Sequence, residues 1–324
     1  MRIALISPDY LPVPPVKYGG IERVVSTLAE ELAGRGHDVI LYAPIGSRTK
    51  ARLMPYLHQG SDMWQIPGFV KLTLPKGVDI IHDHTQLSVV GRRRLAVPTV
   101  CTIHNPLTNP VEHAVYLSKR HLELFGQKQG YTDYVYNGLD PDEYQFSEEK
   151  GDYLLYIGAI LPYKGVHHAV EAAERTKHKL KIAGPIYDQD YFHKEIAAKI
   201  ALNPNIQYVG EVGGQTRQDL IKHARCLMFP TLVEEPFGLV MIEAFACGTP
   251  VLALPNGSVP EVMSGFPELI CSSVDQMVHM LLHEALPEPA ELRRYVHRRF
   301  TTSLMTDRYL DIYEKVIQSK QTSG

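Results

Sequence analysis

Residues 226–254 read CLMFPTLVEEPFGLVMIEAFACGTPVLAL. The four apolar residues Cys226 to Phe229 are stopped by Pro230, the pattern of a short buried strand. Residues 251–254 form a second such run. Between them, residues 237–247 are rich in Leu, Met, Ile, Ala and Phe with no interior proline, and Gly248 stands where a helix C-cap belongs. Strand, buried crossover helix, strand is the unit from which parallel sheets are built, because parallel neighbours need a long connection across the sheet face.

Ligands on such sheets bind at the carboxyl ends of the strands. Glu235 falls in the loop after the first strand. The first backbone N–H groups of the helix, near Phe237, Gly238 and Leu239, form a positive pole suited to a phosphate, and Gly238 allows a close backbone approach. Glu243 lies about one and a half turns into a helix that is apolar nearly all round. A carboxylate there is costly to bury unless something hydrogen-bonds it. A vicinal diol would do so; so would a local Arg.

Working outward, apolar strand-like runs alternate with helical stretches. Residues 3–7 lead to a helix over 21–33, and strands are expected at 38–43, 78–83, 99–104 and 134–136. A helix is expected over 111–125, and 48–76 reads as irregular. The acid-rich stretch 140–152 is the best linker candidate. Strands restart at 153–158, 179–184, 206–209, 226–229 and 251–254, and residues 300–317 read as an amphipathic terminal helix. The pattern gives an α/β chain of two doubly wound, Rossmann-like domains with a central cleft between them as the expected site. Their expected limits are 1–148 and 149–300, with 301–324 as the terminal helix.

A chain of 324 residues is long enough for two cores. The formal charge of −3 supplies no basic field for nucleic acid. The opening MRIALISP has an apolar run ended by Pro8, too short for a signal peptide, and no run reaches the ~20 residues of a membrane span. The four cysteines, Cys101, Cys226, Cys247 and Cys271, lack metal-ligand or redox spacing and fit buried thiols in a cytoplasmic chain.

Other polar positions fall at strand ends. Tyr18-Gly19-Gly20-Ile21-Glu22 lies between the first strand and helix, where glycines admit a phosphate or simply make a turn. His82-Asp83-His84 ends a strand; two imidazoles on one face could hold a metal, but no third ligand has useful spacing. His104 ends the next. Lys164 precedes Gly165 after residues 153–158. Asp188-Gln189-Asp190 imitates an Asp-x-Asp metal motif but reads as a surface loop, and Arg92-Arg93-Arg94 reads as a solvated turn.

Glu235 and Glu243, with Glu-Pro-Phe-Gly and Cys-Gly-Thr-Pro-Val around them, resemble the E-x7-E signature of glycosyltransferase family 4. Those are retaining enzymes of the GT-B fold that use nucleotide-diphospho sugars, and the resemblance covers nearly the whole chain. It implies that Glu235 lies beside the donor sugar, that Glu243 binds the ribose, and that Gly19 and Gly20 face the diphosphate. His104 matches a histidine near the reacting carbon and the acceptor. Backbone at Val212 would meet the nucleobase, with Arg217 beside it, and the terminal helix would cross back onto the first domain. Residues 158–165 resemble a Gly-Arg-x4-Lys-Gly loop whose Arg and Lys neutralise the diphosphate. Lys164 is present, but Ala159 stands where the Arg belongs.

The resemblance therefore implies a retaining, metal-independent hexosyltransferase moving sugar from a UDP- or GDP-sugar to an acceptor hydroxyl, with no cofactor. The implied catalytic residues are His104 and Glu235. The donor-binding set is Gly19, Gly20, Lys164, Val212, Arg217, Phe237, Gly238, Leu239 and Glu243. Expected partners are the nucleotide sugar and an acceptor sugar, glycolipid or small molecule, with peripheral membrane contact left open. Two alternatives accompany this reading: a GT-B nucleotide-sugar epimerase, and a weakly active or non-catalytic nucleotide-sugar-binding protein, which the alanine at 159 motivates.

Overall fold

The computed structural model describes residues 1–56, 60 and 63–322. The chain forms two compact units, one of residues 1–139 with 301–324 and one of residues 140–300. Residues 140–148, expected to close the first domain, thus belong with the second unit.

In the first unit the elements run β1 (Arg2–Ile6), α1 (Gly20–Gly34), β2 (Asp38–Pro44), β3 (Arg52–Tyr56), α2 (Ile66–Thr73), β4 (Ile80–Asp83), β5 (Thr99–Thr102), β6 (His113–Tyr116), α3 (Lys119–Phe125) and β7 (Asp133–Tyr134). The seven strands make one parallel sheet in the order β3-β2-β1-β4-β5-β6-β7. Its central strands are buried on both faces, which is why residues 3–6 and 39–43 read as unbroken apolar runs.

In the second unit come β8 (Tyr153–Ile157), α4 (Val166–Thr176), β9 (Lys179–Ala183), α5 (Gln189–Tyr191), a π-helical turn over Phe192–Ala197, α6 (Ala198–Leu202), β10 (Ile206–Gly210), α7 (Gly214–Lys222), β11 (Cys226–Phe229), α8 (Leu239–Ala246), β12 (Val251–Ala253), α9 (Val259–Val262), α10 (Val274–His283) and α11 (Pro289–Arg299). Its sheet is also parallel, in the order β10-β9-β8-β11-β12. The last helix, α12 (Thr302–Thr322), belongs to the first unit, where Arg35 at the end of α1 donates to Asp307 at 2.5 Å. Both sheets reverse strand order beside their first strand, between β1 and β4 and between β8 and β11, and these reversals are where a doubly wound sheet opens a crevice.

Three expectations are corrected. Residues 48–76 are not irregular throughout: β3 and α2 lie within them, and residues 57–59 and 61–62 fall outside the described residues. Pro55 is tolerated in β3 because that strand forms the sheet edge. The single helix expected over 111–125 is β6 followed by α3; Ser118 separates them, its hydroxyl accepting from the His121 N–H at 3.1 Å as a helix N-cap. The supposed linker 140–152 is packed into the second unit. The Lys150 ammonium donates to Lys222 O, Cys247 O and Thr249 Oγ1 at 2.8, 3.1 and 3.1 Å, closing the carbonyl ends of α7 and α8.

Candidate functional site

In the second unit the loops after β8 and β11 meet. Lys164 Nζ lies 2.7 Å from Glu235 Oε2, with side-chain exposures of 26% and 13%. The approach needs glycine twice. Gly165 holds φ +72°, and a side chain there would drive into the Pro230 carbonyl; Leu232 N donates to Tyr163 O at 2.9 Å across the same seam. Gly257 holds φ +61°, and a Cβ would strike the backbone of Glu235. The loop after β12 thereby grips the loop that carries Glu235: Ser258 N donates to Glu235 O at 2.9 Å, Gly257 N to Glu234 Oε2 at 2.9 Å and Asn256 Nδ2 to Thr231 O at 2.7 Å.

Two helices start beside this pair. Gly165 is the N-cap of α4 and Gly238 that of α8, and neither start carries a side-chain cap. Both therefore present the positive ends of helix dipoles to an anion. α8 begins at Leu239, so Phe237 and Gly238 precede it instead of opening it. Ala159 is buried; its carbonyl accepts from the Tyr156 hydroxyl at 2.9 Å.

Glu243 is 1% exposed. Arg217 meets both of its oxygens, Nη1 to Oε1 at 3.0 Å and Nη2 to Oε2 at 2.5 Å, and the Tyr144 hydroxyl donates to Oε1 at 3.1 Å. The local Arg left open by the sequence is thus Arg217. Burial works against the guanidinium charge, but Glu243 outweighs it, and the Arg217 pKa is raised. Burial, and next Glu243, pushes the neighbouring Cys247 thiol up to about 12. Val212 lies between β10 and α7, five residues before Arg217.

In the first unit Gly19 is the N-cap of α1 at φ +146° and Gly20 its first residue. His104 follows β5. Its Nε2 lies 3.0 Å from His84 Nδ1, and His84 Nε2 lies 3.2 Å from His82 Nδ1. Burial, then the neighbouring His121, holds His104 down at about 3; burial first also keeps His82 and His84 well below the usual imidazole range. Three neutral imidazoles therefore stand in contact.

Residues 18–143 match the family described as Glycosyltransferase Family 4, and residues 142–293 match Glycosyl transferases group 1. The chain belongs to glycosyltransferase family 4. It is 25% identical to the uncharacterized glycosyltransferase MJ1607 of Methanocaldococcus jannaschii, over 81% of this chain and 83% of that one. It is 27% identical to a glycogen synthase of Mycobacterium tuberculosis, over 91% and 88%. Among solved structures, AviGT4, a glycosyltransferase involved in avilamycin A biosynthesis, superposes with a TM-score of 0.82 at 26% identity, covering 98% of each chain. The fold of this family-4 chain is GT-B.

The structure joins Lys164 to Glu235 and Arg217 to Glu243, pairs that the sequence reading had kept apart. Asp188 of the Asp-x-Asp stretch caps a helix, accepting from Tyr191 N at 2.8 Å. Among the described residues no group of three or more His, Cys, Asp and Glu is arranged to hold a metal ion. All four cysteines are buried and unbonded to one another. No helix of the described residues is long and apolar enough to cross a membrane. The sequence reading missed Tyr144, whose signal was an aromatic residue in an otherwise polar stretch, and Gly257, which carries no local signal because its partner is 22 positions earlier.

Proposed function

We propose that this glycosyltransferase transfers a hexosyl group, with retention and without a metal, from a UDP- or GDP-sugar to an acceptor hydroxyl. The observation that carries the reading is the Lys164–Glu235 pair, set between two uncapped helix starts at the strand-order reversal of the second sheet. An ammonium and two dipole ends suit a diphosphate, while Glu235 is held by its own backbone at a position suited to sugar hydroxyls. Glu243, oriented by Arg217 and Tyr144, is the carboxylate assigned to the ribose hydroxyls. Val212 and Arg217 are assigned to the base, and Gly19, Gly20 and His104 keep the diphosphate and acceptor roles that the family resemblance implies.

In this reading the bond from the anomeric carbon to the phosphate oxygen breaks as the acceptor oxygen bonds to the same face. The acceptor proton passes to the departing phosphate oxygen, so no strong base is required. Charge grows on the diphosphate as the bond breaks, and that is where Lys164 and the helix starts act. Turnover of a panel of UDP- and GDP-linked hexoses by the parent chain and by Glu243→Gln tests the assignment; unchanged turnover in the variant would sink the ribose role.

Ala159 favours a second reading, a weakly active or non-catalytic sugar-nucleotide-binding protein, because a charge-assisted contact of roughly 1.5–3 kcal/mol is missing from the expected pair. Ala159→Arg separates the two. A gain of about tenfold or more in kcat/KM would mark a degenerate site, whereas little change would show that the helix starts already supply the charge.

A further inference from the structure

Three imidazoles and three hydroxyls in the first unit form one connected line that ends at His104. Tyr313 Oη lies 2.6 Å from His82 Nδ1, and His82 Nε2 lies 2.7 Å from Thr102 Oγ1, which is 2.9 Å from Tyr309 Oη. His84 Nε2 lies 3.2 Å from His82 Nδ1, and His84 Nδ1 lies 3.0 Å from His104 Nε2. His82, His84, Thr102, Tyr309 and Tyr313 are wholly buried. His104 is only half-buried, and its Nδ1 has no partner among the described residues.

We infer that Tyr313 sets, through His82 and His84, the tautomer of His104, so that His104 carries its proton on Nε2 and offers a bare Nδ1 as a hydrogen-bond acceptor. A neutral imidazole has one N–H and one lone pair, so fixing one nitrogen fixes the rest of the line. The 2.6 Å contact at Tyr313 is shorter than N–H donation to oxygen ordinarily gives and fits an O–H donor. Tyr313 then donates to His82 Nδ1, and the His82 proton sits on Nε2, facing Thr102. A bare His84 Nε2 at 3.2 Å would set its lone pair against that of the bare His82 Nδ1, so the His84 proton belongs on Nε2, which shares this acceptor with Tyr313 as the longer and weaker donor. That leaves His84 Nδ1 bare, and its neighbour His104 must carry the proton on Nε2. Either polarity leaves one hydroxyl hydrogen over. In this one it belongs to Thr102, an alcohol that accepts from His82 and Tyr309 on its two lone pairs; in the reverse it belongs to Tyr313, a buried phenol and the stronger donor.

A bare Nδ1 can receive the hydrogen bond of an incoming hydroxyl and orient it, which an N–H there would not do. The consequence for transfer rests on the reading of His104 as an acceptor-side residue; the tautomer itself does not. Tyr313 and the two inner histidines are positioning residues, and Tyr313 reaches the line from α12, more than 200 residues away in sequence.

Long-range ¹H–¹⁵N spectra of the full chain with labelled histidine test the line directly, with His82→Gln, His84→Gln and His104→Ala used for assignment. At neutral pH His82, His84 and His104 should all show protonated Nε2 and bare Nδ1. Tyr313→Phe removes the donor that sets the polarity, and His104 should acquire a population protonated on Nδ1. A protonated Nδ1 on His104 in the parent chain would overturn the inference, as would an unchanged His104 signature in folded Tyr313→Phe. If that variant does not fold, the parent spectrum decides alone. Transfer by His104→Ala addresses the other reading: wild-type transfer together with a bare Nδ1 would remove His104 from the acceptor face and leave the relay standing.

Discussion

Glu243 is held as a buried ion whose charge is matched by Arg217, and both the cost of removing it and its use follow from that. Glu243→Ala leaves a guanidinium that is 13% exposed without its partner. Breaking such a pair costs about 3–5 kcal/mol, so the variant should show a lower urea midpoint at unchanged slope. Glu243→Gln keeps the shape and acceptor oxygen and should lose less, which makes it the cleaner probe of activity. Lys164 is more exposed than Arg217, but removing it strips the partner from Glu235, itself 13% exposed, so some stability goes with it. Lys164→Ala should lower the midpoint less than Glu243→Ala does while lowering kcat/KM by about 10- to 100-fold, from the loss of one charge-assisted contact to the diphosphate. An equal loss of stability and activity would point to a structural lysine. The sequence named both carboxylates and the lysine. It did not pair them, since the partners stand 26 and 71 positions apart and meet only through the sheet.

At the level of elements, two glycines let three loops close on one another. Gly165→Ala and Gly257→Ala each place a side chain in left-handed backbone and against a carbonyl or backbone nitrogen. Strain of this kind costs on the order of 1–3 kcal/mol before any clash is counted. Both variants should lower thermal stability, and the residual folded protein should bind nucleotide sugar more weakly, as calorimetry would measure. Retention of parent-level binding by Gly165→Ala would show that the two loops do not need their present approach. The strand-helix-strand reading of residues 226–254 matches β11, α8 and β12. The merged helix at 111–125 failed because apolar periodicity is ambiguous over four-residue runs, and the Ser118 cap that divides β6 from α3 was passed over.

On the scale of the whole chain, buried histidines tie stability to pH. Burial first, opposed by a hydrogen bond to Asn105 O, holds His121 at about 4, and His104 is held at about 3, against about 6.5 in an unfolded chain. Between these values the unfolded state binds protons that the folded state does not, so stability is lost as pH falls from about 6.5 toward 3–4. For His121 alone the loss is on the order of 3 kcal/mol. Denaturation midpoints should fall steadily from pH 7 to pH 4, and His121→Gln should flatten that slope; a flat profile in the parent chain would contradict the buried neutral state. The sequence by itself determined the class of fold, because the alternation of buried strands with helices is a local pattern repeated along the chain, and the E-x7-E stretch supplied the family. Tertiary structure decided what each polar residue is paired with. Arg217 on Glu243, Gly257 under Glu235 and Tyr313 on His82 join residues 22 to 231 positions apart, and hydrogen bonds and steric contacts act over a few ångströms of space, whatever the separation in sequence.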